Sequence, residues 1–342
     1  MSDAKVLSGG EKGKVLLLFA LWYLGNYYYN IYNKVALEEA GGKDGLFPFT
    51  IATAQLAVGA TWAIASWLIG LNPITFASQK MPKLSVSDCA AVTGVSIFSA
   101  FAHMASVICM NAGSVAFGQI VKAAEPVFAA LVNTIFYGKP PTVAKALMLP
   151  IIVAGVAVAC LKPDAAGRYK ISFEVVAVLA GSFANVMAAF RGSENARLMS
   201  ASGGLKERIG GVGNQFALAQ VFGFTALIPV ALYMEGAHLP EFISLCQTNK
   251  KFAYNILMAG LTFYGYNELS TMTISYTSAI TQSVANTAKR VIVIVGVAMA
   301  MGKPLTFEEQ LGSVIAISGV FLYSVAEQIQ GALFGKAKAK KN

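Results

Sequence analysis

The chain has 342 residues, of which 56% are hydrophobic and only 13% charged, and its formal net charge is +9. Soluble domains carry roughly 25% charged residues, so the composition excludes an ordinary water-soluble protein and fits a bundle that faces lipid bilayer. The positive balance does not point to nucleic acid, because the lysines and arginines are scattered between apolar runs and form no contiguous basic face.

The first 13 residues are polar. They contain neither an apolar signal segment nor an Arg- and Ser-rich amphipathic presequence, so targeting is expected to be internal or already processed. A spanning helix needs roughly 20 largely apolar residues. By that measure the sequence predicts spans near 14–36, 47–70, 86–109, 113–137, 142–161, 172–192, 213–234, 252–274, 278–301 and 307–330. The expected fold class is an all-α integral membrane protein of ten transmembrane helices. Tight turns are expected near Asn111-Ala112-Gly113 and Ser275-Tyr276, and longer polar connections at 71–85, 193–211 and 235–251. An even number of spans puts both termini on one side. Loops on that side hold the larger share of basic residues, among them Lys80, Lys83, Lys139, Arg191, Arg197, Lys206 and Arg208, which makes the termini cytoplasmic or stromal. Cys89, Cys109, Cys160 and Cys246 show no CxxC and no metal-ligand spacing. They read as small packing side chains, and no metal or other cofactor is expected.

Two segments look alike. Gly138-Lys139-Pro140-Pro141-Thr142 precedes the apolar run 143–161, and Gly302-Lys303-Pro304-Leu305-Thr306 precedes 307–330. Gly138 and Gly302 lie 164 positions apart, close to half the chain. Five helices per half, an odd number, gives the halves opposite orientation, the inverted-repeat pattern of secondary transporters. The expected organisation is a polar tail at 1–13, a first five-helix repeat at 14–161, a linker at 162–171, a second repeat at 172–330 and a basic tail at 331–342.

Charged side chains at membrane depth usually face a cavity and mark a pathway. Lys122 and Glu125 share a helix face at i and i+3, and Lys289 and Arg290 lie halfway along the ninth span. Three cations against Glu125 leave a positive surplus, smaller if Glu268 ionises close by. An anion would match it, and a guanidinium fork with ammonium point charges suits a phosphate group. The plain structural reading is that Lys122 pairs with Glu125 on its own helix while the ninth-span cations snorkel. His103 and Ser106 share a face of the third span. The eighth carries a polar stripe of Tyr266, Ser270 and Thr273. Asn26, Asn30, Asn33 and Lys34 on the first span read as contacts between helices.

Gly118-Gln119-Ile120-Val121-Lys122-Ala123-Ala124-Glu125-Pro126 resembles the fourth-helix signature of the plastidic phosphate translocators, which are triose-phosphate/phosphate translocators and relatives within the drug/metabolite transporter superfamily. Ser283-Val284-Ala285-Asn286-Thr287-Ala288-Lys289-Arg290-Val291 resembles that family's second signature, and Trp22-Tyr23, Asn30-Ile31-Tyr32-Asn33-Lys34 and Tyr264-Gly265-Tyr266-Asn267 fit it too. The resemblance covers roughly residues 15–330. It implies strict antiport of inorganic phosphate against a phosphorylated C3, C5 or C6 metabolite such as triose phosphate or 3-phosphoglycerate, by alternating access. It further implies that Lys122, Lys289 and Arg290 clamp phosphate and that His103, Ser106 and Tyr266 contact substrate. The chain departs from the family in Phe117-Gly118-Gln119, where Phe-Thr-His is common, and in Ser106, where Thr is frequent.

The chain ends Lys338-Ala339-Lys340-Lys341-Asn342, which looks like a dilysine retrieval signal. Expected locations are therefore a plastid envelope, an outer membrane of a complex plastid, or ER/Golgi. The alternative function is a nucleotide-sugar or nucleoside-monophosphate antiporter of the endomembrane system. A membrane enzyme with His103 as base is not expected, since no metal cluster or motif pairs His103 with Glu125 or Glu268. Nor does the sequence contain GxxxxGK[ST] for ATP-driven transport. Oligomeric state is not readable from the sequence.

Overall fold

The computed structural model describes residues 9–74, 76–163, 169–171, 174–200, 204–277 and 279–339. The helices are α1 (Gly9–Glu39), α2 (Pro48–Ile69), α3 (Val86–Ala112), α4 (Val115–Ala123), α5 (Glu125–Tyr137), α6 (Val143–Ala146) and α7 (Leu149–Ala159) in the first half. In the second half they are α8 (Val175–Ser200), α9 (Leu205–Ile209), α10 (Val212–Glu235), α11 (Leu239–Thr248), α12 (Lys250–Tyr276), α13 (Ala279–Ala300) and α14 (Phe307–Ala339). A two-stranded antiparallel hairpin, β1 (Leu161–Pro163) with β2 (Tyr169–Ile171), lies between the halves. Six of these helical stretches are long and apolar enough to cross a membrane, among them Pro48–Ile69, Val86–Ala112 and Val115–Tyr137.

Local chemistry sets the helix ends and breaks. Ser85 and Asp88 form a capping box at the start of α3, each side chain accepting from the other's backbone N–H. The same Asp88 receives a bidentate Arg208 guanidinium, at 2.6 and 2.9 Å, which ties α9 to α3. Ser114 Oγ caps α4 by accepting from Phe117 N at 3.0 Å. The span expected at 113–137 is broken at Ala124, where ψ is 0°. Pro126 has no N–H for the Lys122 carbonyl, and its ring opposes a continuous helix. Pro150 breaks the next span between α6 and α7 in the same way.

Two spans run further than the apolar pattern implies. α8 continues to Ser200 rather than 192, because polar residues at 193–200 are still helix-competent where they leave the membrane depth. α14 extends to Ala339, into the segment read as a tail. The retrieval signal, with Lys340 and Lys341, lies outside the described residues, as do residues 1–8 and part of the 162–171 linker.

Helix packing comes in distinct pairs: α1 lies along α12, α3 along α8, α2 along α10, and α7 along α14. α13 touches α1, α4 and α14. Small residues permit the closest approaches. A Cβ at Gly155 of α7 would run into the Ala316 backbone of α14. The main core gathers around Trp22, Leu37, Ile51, Leu227 and Phe252, all within 1% of complete burial. Cys109 and Cys160 are buried, Cys89 and Cys246 half-buried, and none of the four forms a disulfide among the described residues.

Candidate functional site

A cavity of about 640 Å³ lies among α1, α3, α4, α5, α8, α12, α13 and α14. Its lining extends through Val92 and Val95 of α3, Arg191 and Asn195 of α8 and Tyr323 of α14. It therefore reaches the end of the bundle that carries residues 76–85 and 204–211. His103, Ser106, Lys122, Tyr266, Lys289 and Arg290 all line this one cavity.

The break at Ala124 places Lys122 on the last turn of α4 and Glu125 on the first turn of α5. The two therefore do not sit on one continuous helix face. Lys122 Nζ donates to Ser106 Oγ at 3.1 Å, and Ser106 Oγ donates to the Ala102 carbonyl at 2.7 Å. Glu125 is bound instead from the other half of the chain, with Arg290 Nη2 donating to its Oε2 at 3.0 Å. Lys289 Nζ lies 5.1 Å from the centre of the Trp22 ring, a cation–π contact that holds the ammonium without neutralising it.

Aromatic rings close the deep side. The His103 ring lies tilted, 4.0 Å from that of Phe263 and 6.3 Å from that of Tyr29. Tyr266, 9% exposed, packs 5.5 Å from Tyr29. Ser270 also lines the cavity, whereas Thr273, the third member of that stripe, is fully buried.

Beyond Met110, at the opposite end, the cavity is sealed by α1. Lys34 Nζ donates to the Met110 and Gly113 carbonyls at 2.8 and 3.0 Å. Gln55 Nε2 donates to Asn33 Oδ1 at 2.6 Å. Asn33 and Lys34 thus join helices, as expected, while Asn26 and Asn30 also face the cavity. A second cavity of about 510 Å³ lies outside this seal, with Lys34, Lys43 and Lys303 facing Glu38, Glu174 and Glu309.

The Triose-phosphate Transporter family profile matches residues 13–324. The chain belongs to that family. It is a transporter rather than an enzyme. The chain is 31% identical to phosphoenolpyruvate/phosphate translocator 1, chloroplastic, of Oryza sativa subsp. japonica, over 96% of this chain and 76% of the relative. Xylulose 5-phosphate/phosphate translocator of Arabidopsis thaliana is 29% identical, over 92% and 72%. The triose phosphate/phosphate translocator of non-green plastids of Brassica oleracea var. botrytis is 29% identical, over 94% and 75%.

Within this transporter, two features depart from the sequence-based expectations. Arg191, at the end of the span expected at 172–192 and counted with the charges of the terminal side rather than at membrane depth, lines the cavity. Glu268, a candidate counter-charge by its position, is fully buried outside the cavity lining, with Asn72 Nδ2 donating to it at 2.5 Å. Nothing in its spacing reveals that its face of α12 turns toward the 71–85 connection. Gln119 Nε2 donates to Asn30 Oδ1 at 3.0 Å, linking α4 to α1, in keeping with the reading of Asn30 as a contact between helices.

Proposed function

We propose that this chain is a secondary antiporter exchanging inorganic phosphate for a phosphorylated C3 metabolite such as triose phosphate or 3-phosphoglycerate, or for a C5 or C6 one, by alternating access. The observation that carries the reading is the charge of the cavity. Lys122, Arg191, Lys289 and Arg290 line it, with Glu125 as the one carboxylate among its described lining residues. Such a surplus at membrane depth calls for an anion, and a phosphate dianion fits a guanidinium with ammonium groups around it. Lys122, Lys289 and Arg290 are the phosphate clamp in this reading, with His103, Ser106 and Tyr266 against the rest of the substrate. Empty, the clustered cations resist closure of the halves, which enforces exchange over uniport. Relatives named as phosphate translocators for phosphoenolpyruvate, xylulose 5-phosphate and triose phosphate support this substrate class.

In this reading the chain crosses the membrane ten times as two inverted five-helix halves, 14–161 and 172–330. Reciprocal contacts support it. A shift of 164 positions carries Ile152 to Ala316 and Gly155 to Gly319. Gly155 abuts Ala316, and a Cβ at Gly319 would lie 2.8 Å from Ile152 Cγ1. The same shift carries Leu56, Gly59 and Ala100 to Gln220, Gly223 and Tyr264. Gly59 faces Gln220 and Tyr264, and Gly223 faces Leu56 and Ala100. A two-fold axis between halves requires this exchange of partners. The pairing of α1 with α12 and of α8 with α3 follows the same rule, and Gly138 and Gly302 share φ of +61°.

A plastid envelope is the proposed location, with the chloroplastic relatives as support. A fluorescent fusion confined to ER or Golgi would remove it. The decisive experiment on function is uptake of labelled phosphate into proteoliposomes that are empty or loaded with phosphate, dihydroxyacetone phosphate, 3-phosphoglycerate, xylulose 5-phosphate, glucose 6-phosphate or a nucleoside monophosphate. Uptake only against a phosphorylated metabolite or phosphate is expected. Uptake into empty vesicles, or stimulation by the nucleotide alone, would overturn the reading.

A further inference from the structure

Phosphate is one end of the proposed substrate, and the wall beside the clamp holds a hydroxyl that no other contact employs. Tyr29 of α1 lines the large cavity. Its side chain is buried, and its Oη has no hydrogen-bond partner among the described residues. Leaving a buried hydroxyl unpaired is costly, so such groups are rare and call for an explanation. Neighbouring rings fix this one in place. The Tyr29 ring lies 5.3 Å from that of Phe263, 5.5 Å from that of Tyr266 and 6.3 Å from that of His103. Packed in this way, the ring cannot swing its hydroxyl to another partner. Ring packing does not itself require the oxygen.

His103 lines the same cavity, and its Nε2 is likewise buried without a partner among the described residues. Two neighbouring polar tips, one from α1 and one from α3, thus lack partners at one place in the wall. Their position relative to the clamp decides what they can meet. His103 precedes Ser106 by three residues on α3, which is about 4.5 Å of helix rise. Ser106 Oγ in turn accepts from Lys122 Nζ at 3.1 Å. A phosphate held on Lys122 therefore sits at the level of Ser106. Carbons esterified to it, and the oxygens they carry, can extend to His103 and Tyr29. Inorganic phosphate carries nothing that extends so far.

We propose that Tyr29 is a specificity-determining residue whose hydroxyl donates to an oxygen on the carbon body of a phosphorylated substrate. Organic phosphates then gain a bond that inorganic phosphate and oxygen-free esters lack. This inference rests on the antiport reading above. Hydroxyl, carbonyl and carboxylate oxygens all accept from a phenol, so the contact favours oxygenated bodies as a class and includes 3-phosphoglycerate among them.

The test is phosphate/phosphate exchange in proteoliposomes of the full chain, with unlabelled competitors on the uptake side. Dihydroxyacetone phosphate and 3-phosphoglycerate are compared with propyl phosphate, which has the same number of carbons but no oxygen on them beyond the ester. In the wild type the two oxygenated esters are expected to compete at concentrations at least about threefold lower than propyl phosphate. Tyr29→Phe keeps the ring and removes only the hydroxyl, so it should narrow that gap at least about threefold. A merely structural role would weaken all three competitors alike and leave the gap as it was. If the variant exchanges phosphate too slowly to read, the same gap is taken from the ester concentrations that raise its melting temperature in detergent. Equal or better competition by propyl phosphate in the wild type overturns the proposal. So does a gap that Tyr29→Phe leaves unchanged. Absence of phosphate/phosphate exchange in folded wild-type protein is a different result: it removes the antiport reading itself.

Discussion

Arg290 of α13 donates to Glu125 of α5 at 3.0 Å, and the guanidinium and carboxylate that meet there come from opposite halves of the chain. The pair spans the cavity wall where the proposed phosphate clamp is assembled. Glu125 partly offsets the cations when no anion is bound, and a bound phosphate would compete with it for Arg290.

Removing that counter-charge has a specific signature. Glu125→Gln leaves Arg290 without its carboxylate, and because Glu125 is itself 39% exposed the loss is expected to be about 1 kcal/mol. The purified variant is expected to melt a few degrees below the wild type in phosphate-free detergent. Added phosphate should recover more of the loss than it adds to the wild type. Equal phosphate-induced shifts in both proteins would show that the anion does not substitute for Glu125.

The clamp itself predicts loss of transport without loss of folding. Lys289→Ala and Arg290→Ala are each expected to abolish exchange, while the protein still inserts and elutes as a monodisperse species. Lys122→Ala should do the same, because its Nζ is held toward the cavity by Ser106. Exchange at the wild-type rate in Lys289→Ala or Arg290→Ala would remove the clamp.

Lys34 predicts an effect at the opposite end. Its ammonium bridges two backbone carbonyls where α3 turns into α4, and hydrogen bonds to a charged donor contribute roughly 1.5–3 kcal/mol each. Lys34→Met should loosen this seal. A cysteine placed at Asn111 is then expected to react faster with a membrane-impermeant maleimide, while exchange slows. Unchanged labelling would mean that packing alone keeps that end closed.

Gly155 gives a stability prediction free of chemistry. Any larger residue there drives its Cβ into the Ala316 backbone, and overpacking of this kind costs about 1–3 kcal/mol or more. Gly155→Val should lower the unfolding temperature, whereas Gly192→Ala, where an added Cβ meets nothing inside α8, should leave it unlowered or slightly raised. A Gly155→Val melting curve that overlays the wild type would contradict the close packing of α7 on α14.

Much of this architecture is legible in the order of the amino acids. Apolar runs of spanning length locate the apolar parts of the long helices, because the bilayer imposes length and composition directly, but they miss the polar extensions of α8 and α14 and the short helices α9 and α11. Lys122, Lys289 and Arg290 stand out because a charge inside such a run is costly, and Gly138 and Gly302 suggest the proposed half-chain repeat. The break at Ala124 is also readable in principle, since Pro126 sits mid-span and cannot donate to the Lys122 carbonyl. Arg191 escapes because, at the end of the span expected at 172–192, it reads as a charge at the membrane boundary, and nothing local shows that its side of α8 lines the cavity.

What the sequence alone determined is therefore what each segment must satisfy by itself: lipid-facing composition, helix length, caps, breaks, and the residues too costly to bury without purpose. Only the tertiary structure decided who meets whom. Glu125 bonds Arg290 rather than Lys122, Gln119 reaches Asn30, and Glu268 turns away from the cavity toward Asn72. Those choices depend on the rotation of each helix about its axis. That rotation is set by close contacts such as Gly155 on Ala316 and Gly59 on Gln220, between segments far apart in the chain, and no local pattern encodes it.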